Sequence, residues 1–398
     1  MTAATPWLSA ADACRLLGVN RATLYAYVSR GRIRSQPQPG TIRERRYARE
    51  DVERMRQHSA ARRDPQQASK QALQWGMPVL ESALTLIDGA HLYYRGHDAL
   101  VLARTRSVAE VASLLWTGRF DVEWPRISRV RVPRTVAALP FAPRIQTLLA
   151  GAADQHPVAF DLRPESVART GWRILHLMTA AATLAPNRAD TIDQALGHAW
   201  KQRAAAVDVI RCGLILLADH ELNVSSFTAR CVASAGSHPY AVVIAAMSAL
   251  EGPRHGATSA RVESMLTSLR HARSARVGIT ERLRHGEILE GFGHPLYRDG
   301  DPRARALLDL LQEHFPKSPD LAFVRDVADA AWTTIGERPN VDFALAALAR
   351  VLRLPPGAAL MLFAIGRTIG WVGHAIEQYE TGQLIRPRAQ YVGVVPVR

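Results

Sequence analysis

The sequence predicts an all-α protein: a helical body over residues 77–398 behind a small, basic, winged helix-turn-helix unit over residues 1–58, with 59–76 as the linker. Three observations predict it. Beyond residue 77, segment after segment repeats apolar residues at three- to four-residue spacing, which gives a helix one apolar face. Alternating apolar and polar runs, the mark of a half-buried strand, are rare. The charge is unevenly placed. Of a net +14, an excess of eight sits in residues 1–70, where thirteen Arg and Lys70 face six acidic residues. Such a segment can hold nucleic-acid phosphates, and positive clefts also suit polyanionic substrates.

The elements of the first unit follow from their ends. Ser9 can cap a helix over AADACRLLG, in which Ala13, Leu16 and Leu17 share a face and Gly18 is a stop. Val19 then enters a tight turn, and Asn20 can cap a second helix, RATLYAYVSRG. GRIRS reads as a short strand, QPQPGTIRERRYA as a turn and wing, and REDVERMRQ as a further helix. The arrangement resembles the winged helix-turn-helix of the MerR and excisionase type. That resemblance implies a DNA partner, with Arg21, Thr23, Tyr25 and Arg30 facing a groove from the second helix and Arg43, Arg45 and Arg46 holding phosphates from the wing. A protein-contact module has the same shape, so shape alone does not decide. Residues 59–76, SAARRDPQQASKQALQWG, are polar and aperiodic, as linkers are.

In the body, VAEVASLLWTG, ARTGWRILHLMTAAATLA, AAVDVIRCGLILLADHE, RALLDLLQEHF and FALAALARVL carry the helical pattern. The β-like pieces are short: ALTLIDG with HLYYRG near 83–96, and YVGVVPV at the end. No repeat of fixed period is present. The longest apolar run, VIRCGLILLA at 209–218, is too short to span a bilayer, so no membrane partner is expected. Cys14, Cys212 and Cys231 are few and far apart, which predicts neither disulfides nor a metal site. With an N-terminus that lacks a signal-peptide pattern, they fit the cytoplasm.

Three histidines stand in unusual surroundings: His220 in LADHELNVSS, His255 in EGPRHGATSA and His294 in GFGHPLYRDGDPRA, where glycines let backbone approach a ligand. Asp342 lies in RPNVDFALAALARVL, where a helix begins. Singly, each is an ordinary structural residue; a lone His is usually a satisfied core group and such an Asp an N-terminal cap. Together and in order, DHELN, GPRHG, GFGHPLYRDGDPRA, PNVDF, AIGRTIGW and RPRAQYVG resemble citrate synthase, as does the early segment ESALTLIDGAHLYYRGHDALVLA.

This resemblance implies a two-domain helical fold with a cleft, a large part over 77–255 and 348–398 and a small one over 256–347. It implies a homodimer with shared active sites. It implies an acyltransferase that condenses acetyl-CoA or propionyl-CoA with oxaloacetate, without a bound cofactor. By position, His255, His294 and Asp342 correspond to the catalytic groups: donor to the thioester carbonyl, polariser of the ketone, and base. His220, Arg303, Arg367 and Arg386 correspond to the oxaloacetate side, Arg386 reaching the partner subunit's site. Gly291, Phe292 and Gly293 fall on the CoA side, where Arg282, Arg284 and Arg298 could meet phosphates. The chemistry suits the residue types. A methyl group beside a thioester is a weak acid, so base and carbonyl donor act together, and planar Arg forks match a dicarboxylate. The chain departs from the family at GPRHGATSA, where GPLHGGANE is common. Ala257 stands for a glycine, Arg254 for an apolar residue, and the polar Asn–Glu pair is lost. Pro295 follows the histidine where Arg is common. These changes bear on the acyl-CoA side. Two other readings stay open: a DNA-binding regulator that uses the body as a metabolite sensor, and a bifunctional enzyme.

Overall fold

Helix caps and apolar stripes decide where most elements begin and end. A computed structural model describes residues 7–38, 44–53, 55, 80–127, 130–184, 191–256, 258–389 and 391–394. The chain divides into two compact units, Met1–Glu81 and Ser82–Arg398.

In the first unit, β1 (Trp7–Leu8) precedes α1 (Ala10–Leu17) and α2 (Arg21–Ser29). Ser9 Oγ accepts from the Asp12 N–H and Asn20 Oδ1 from the Thr23 N–H, so both helices start on side-chain caps. Gly18 ends α1 in the left-handed conformation, at φ 65°. β2 (Ser35–Pro37) and β3 (Arg45–Ala48) complete an antiparallel sheet of order β1-β3-β2, with Leu8 opposite Tyr47 and Ser35 opposite Tyr47 on its other side. The strand expected over GRIRS thus starts only at its last residue, after a turn through 30–33. Leu8, Ala13, Leu17, Leu24, Ile33, Tyr47 and Val52 form a small core of this unit's own. Residues 49–53 are helical, as expected. The tip of the expected wing, Arg43 included, and the 59–76 linker lie outside the described residues.

The second unit opens with a small antiparallel sheet, β4 (Thr85–Asp88), β5 (His91–Tyr94) and β6 (His97–Asp98). Helices follow: α3 (Ala99–Thr105), α4 (Val108–Thr117), α5 (Arg134–Ala137), α6 (Phe141–Asp154), α7 (Pro164–Thr183), α8 (Ile192–Ala199), α9 (Ala204–Leu216), α10 (Val224–Ser234) and α11 (Pro239–Leu250). Then come α12 (Thr258–Leu269), α13 (Ala275–Arg284), α14 (Pro302–His314), α15 (Pro319–Ile335), α16 (Val341–Val351) and α17 (Ala358–Thr381). Two corrections to the sequence reading arise here. The described part of the YVGVVPV segment is not a strand. The 209–218 run is not the longest apolar stretch either. α17 has 24 residues and holds an 18-residue window of mean hydropathy 1.4, long and apolar enough to cross a bilayer by composition, yet 89% of that window is buried inside the body. Arg367 within AIGRTIGW breaks up its apolar run, which hides it from a search for uninterrupted hydrophobicity.

α17 is the axis of the body. It packs on α7, α9, α10, α11 and α4, while α12 to α16 pack mainly on one another. Both groups share one continuous apolar core that includes Trp116, Ile215, Leu266, Phe343 and Trp371. The close approach of α17 to the end of α9 depends on having no side chain at Gly370. A Cβ there would lie 2.5 Å from the Ala218 carbonyl oxygen and 2.4 Å from Asp219 Oδ1. The Gly370 N–H instead donates to Ala218 O at 2.8 Å. That contact sets Arg367, one turn earlier, beside the residue that follows Asp219, His220.

Candidate active site

Four chain segments converge. The first is the end of α9, where Tyr94 of β5 directs its hydroxyl at the carbonyls of Ile215, Leu216 and Asp219. Asp219 is wholly buried, taking bonds from Thr85 Oγ1 at 2.6 Å and His374 Nε2 at 3.2 Å. The next residue, His220, is 8% exposed, and its Nε2 lies 2.9 Å from the Tyr297 hydroxyl. Burial, then the positive charges of Arg303 and Arg367, hold its pKa well below the usual value, so His220 is neutral at pH 7.

The second segment is the 291–297 loop. Its backbone is bonded to the loop before α16: the Asn340 N–H donates to Gly291 O, the Gly293 N–H to Arg338 O, and Asn340 Nδ2 to Gly293 O. Gly291 adopts φ 85°, and a Cβ there would meet Val262 Cγ2 at 2.8 Å, so the loop lies flat against α12 and α16 only as glycine. His294 follows, with its ring centre 5.2 Å from that of His220 and 4.8 Å from that of Tyr297. Its Nδ1 accepts from the Leu296 N–H at 3.1 Å, which leaves Nε2 to carry the proton of the neutral ring. Burial and Arg303 push its pKa down to about 4.

The third segment is the start of α14. Asp301 caps it, accepting from the Arg303 N–H, and grips the Arg303 guanidinium with both oxygens, at 3.0 Å and 2.7 Å. It also accepts from the Val341 N–H at 3.1 Å, tying α14 to the start of α16. Arg303 is 2% exposed. Burial opposes its charge, but Asp301 outweighs burial and raises its pKa above the ordinary range. Arg367, on α17, is 1% exposed and differs. Its Nε donates to Leu217 O at 2.8 Å and its guanidinium stacks over Phe363, 4.9 Å from the ring centre. Among the described residues, no carboxylate lies within ion-pairing distance of it, and burial pushes its pKa down to about 10.

The fourth segment joins the two remaining candidates. His255, on the turn between α11 and α12, places Nε2 2.8 Å from Ser225 Oγ, which also accepts from the Trp371 indole N–H at 3.0 Å. Burial and then Arg367 push the His255 pKa down to about 4. Asp342, in the first turn of α16, takes a 2.6 Å hydrogen bond on Oδ1 from Ser259. Its pKa is pushed up to about 6, because burial outweighs the lowering by Ser259 and Arg303.

Phe292 sits on the 291–297 loop itself; the remaining candidates lie apart from this cluster. Arg386 is exposed on the segment after α17. Phe292 packs on Phe343, ring centres 4.8 Å apart. Arg284 and Arg298 are exposed, and Arg282 pairs with Glu287 at 2.5 Å. Arg298 shares a shallow cavity with Arg305, Arg338 and Trp332, the Arg338 guanidinium standing 4.1 Å over the Trp332 ring. In the first unit, Arg21, Arg30 and Tyr25 are exposed, the last by 52%. Thr23 is partly exposed, and its hydroxyl donates to the Asn20 cap at 2.9 Å. Arg45 lies along β2, bonded to Ser35, and Arg46 is partly buried. Sequence reasoning missed Tyr297, Asp301, Ser225 and Ser259. Only Asp301 carried a local signal, an Asp–Pro step opening a helix.

A buried cluster of neutral histidines, two arginines and a carboxylate with raised proton affinity suits a small polyanion and proton transfer. The sequence matches the family model "Citrate synthase, C-terminal domain" over residues 165–388 and "Helix-turn-helix domain" over 7–59. "Citrate synthase" of Haloferax volcanii is 30% identical over 360 residues, 80% of this chain and 94% of that one. "Citrate synthase 2" of Bacillus subtilis is 37% identical over 190 residues, 47% of this chain, and the match spans only about half, 51%, of that relative's length. The solved citrate synthase of Thermotoga maritima superposes with a TM-score of 0.68 at 25% identity, covering 81% of this chain and 96% of that one. The chain belongs to the citrate synthase family.

Proposed function

We propose that the protein condenses an acyl-CoA, acetyl- or propionyl-CoA, with oxaloacetate and hydrolyses the resulting thioester to a citrate-type product and free CoA. The observation that carries this is Arg367, a buried guanidinium with no carboxylate partner among the described residues, clustered with Arg303, His220 and His294. An unpaired buried cation is costly, and a dicarboxylate is the ligand that relieves it.

In this reading Asp342 removes the proton next to the thioester carbonyl, and its raised pKa gives it the proton affinity a base needs near neutral pH. His255 donates to the carbonyl oxygen as that oxygen gains enolate character. Ser225 Oγ accepts from the Trp371 indole N–H, donates to Asn223 Oδ1 at 2.8 Å and lies 2.8 Å from His255 Nε2, which orients the His255 ring. As a neutral ring His255 can still donate. The enolate carbon attacks the oxaloacetate ketone while His294 Nε2–H stabilises the new oxyanion. Closure around the cleft keeps water out until the new carbon–carbon bond exists, after which water cleaves the thioester. Gly291, Phe292, Gly293, Arg284 and Arg298 fall to the CoA side. A homodimer would let Arg386 complete the partner's site. The basic first unit is proposed to bind DNA through α2 and β3. The direct test is thiol release by purified protein from acetyl- and propionyl-CoA with oxaloacetate. No release from either sinks the reading.

A further inference from the structure

We infer that Ser259 is a positioning residue for Asp342: it pins one carboxylate oxygen, turns the other toward the substrate and holds the base in its ionised form. The inference rests on the reading of Asp342 as the base. Ser259 is fully buried in the first turn of α12, and its Oγ–H reaches Asp342 Oδ1 at 2.6 Å, across from one helix start to another. A hydroxyl has one proton to give, and a bond this short to a carboxylate is of the charge-assisted kind. The serine is itself held, because its N–H faces Gly256 O at 3.3 Å, on the same turn that carries His255. The carbonyl donor and the group that orients the base thus stand four residues apart in the chain, at 255 and 259.

The groups acting on Asp342 come from three elements. Ser259 stands on α12, Arg303 and the opposing Asp301 at the start of α14, and Arg367 on α17. Burial raises the proton affinity of Asp342 more than any of them changes it, and Ser259 is the foremost opposing group. Arg303 is already gripped by Asp301, and Arg367 donates through Nε to Leu217 O. The serine hydroxyl is thus the group dedicated to keeping this carboxylate a base. A serine that merely filled space at a helix start would be replaceable by alanine with no change in any titration.

Removing the hydroxyl disfavours the charged form, so the pKa of Asp342 rises. For Ser259→Ala the acid limb of the kcat profile should move up by about one pH unit, with turnover falling about fivefold at pH 6 and little at pH 8.5. Ser259→Thr keeps the hydroxyl and should restore the wild-type limb. Should the alanine chain fail to fold, Ser259→Cys, of similar size but a weak donor, takes its place in the same comparison. An infrared titration of the carboxyl stretch, assigned by difference against Asp342→Asn, reads the same shift without turnover. That arm separates the two ideas. If the wild type condenses no substrate, the functional reading falls, and the infrared shift still decides whether Ser259 holds the carboxylate ionised. If the wild type condenses and Asp342→Asn does not, but Ser259→Ala leaves both the kinetic limb and the infrared titration unmoved, the positioning role is overturned and the base stands.

Discussion

A base that works on a very weak carbon acid must be ionised and yet hold protons well, and the surroundings of Asp342 produce that compromise. Burial alone would leave it protonated, while Ser259, Arg303 and Arg367 bring its pKa back to about 6. In the proposed reaction, Asp342→Asn should cut kcat by about a hundredfold or more while oxaloacetate binding, followed by calorimetry, persists. The pH dependence follows with a definite sign. The carboxyl must be unprotonated to act, so activity falls as pH drops through about 6. His255 and His294, pushed down to about 4, stay neutral across that limb and do not contribute to it. A kcat profile with its acid limb near 4 would assign the titration elsewhere. The residue types at these positions were legible because His220, His255, His294 and Asp342 each sit in a recognisable string. Their partners were not. Tyr297 reaches His220 across 77 residues and Ser259 reaches Asp342 across 83, and no local pattern encodes which hydroxyl meets which acid.

Elements show the same division. Caps are local, so Ser9, Gly18 and Asn20 could be read directly as the ends of α1 and α2. The role of α17 could not, because its importance lies in what it touches. Its register against α9 depends on Gly370, and Gly370→Ala forces a Cβ into backbone and the Asp219 carboxylate at about 2.4 Å. Overpacking of this kind should cost about 1–3 kcal/mol, read as a lower Tm, and should raise the KM for oxaloacetate as Arg367 and His220 move apart. Unchanged stability and KM would mean that the contact between α17 and α9 is loose. In the first unit, α2 presents Arg21 and Tyr25 one turn apart, both exposed. If they lie in a groove and the basic residues around β3 lie on phosphates, DNA affinity should fall steeply with salt, about one log–log unit for each phosphate contact. Changing Arg43, Arg45 and Arg46 together to Ala should weaken binding to all sequences, whereas changing Arg21 or Tyr25 should alter preference among them. A polarisation titration at two salt concentrations distinguishes these outcomes. Absence of binding at low salt would make this unit a protein-contact module.

At the scale of the whole molecule, each unit has its own core, and every group of the clustered site belongs to Ser82–Arg398. A chain lacking residues 1–70 should therefore keep its condensation activity. If it loses that activity while its helical content, read by circular dichroism, is unchanged, the two units are coupled. Assembly is the larger question, because one proposed substrate arginine is not where the others are. His220, Arg303 and Arg367 are buried together, whereas Arg386 is exposed on the segment that leaves α17. An arginine so placed can still bind substrate if it serves a second copy related by a two-fold axis, which would make each site depend on two chains. Complementation tests this directly. Arg386→Ala and Asp342→Asn should each be inactive alone. After subunit exchange, a mixed dimer has one site with both lesions and one with neither, so random mixing should restore about a quarter of wild-type activity. Recovery at that level places Arg386 in the partner's site. Mixed dimers shown by mass spectrometry but without activity would confine each site to a single chain and leave Arg386 outside the chemistry.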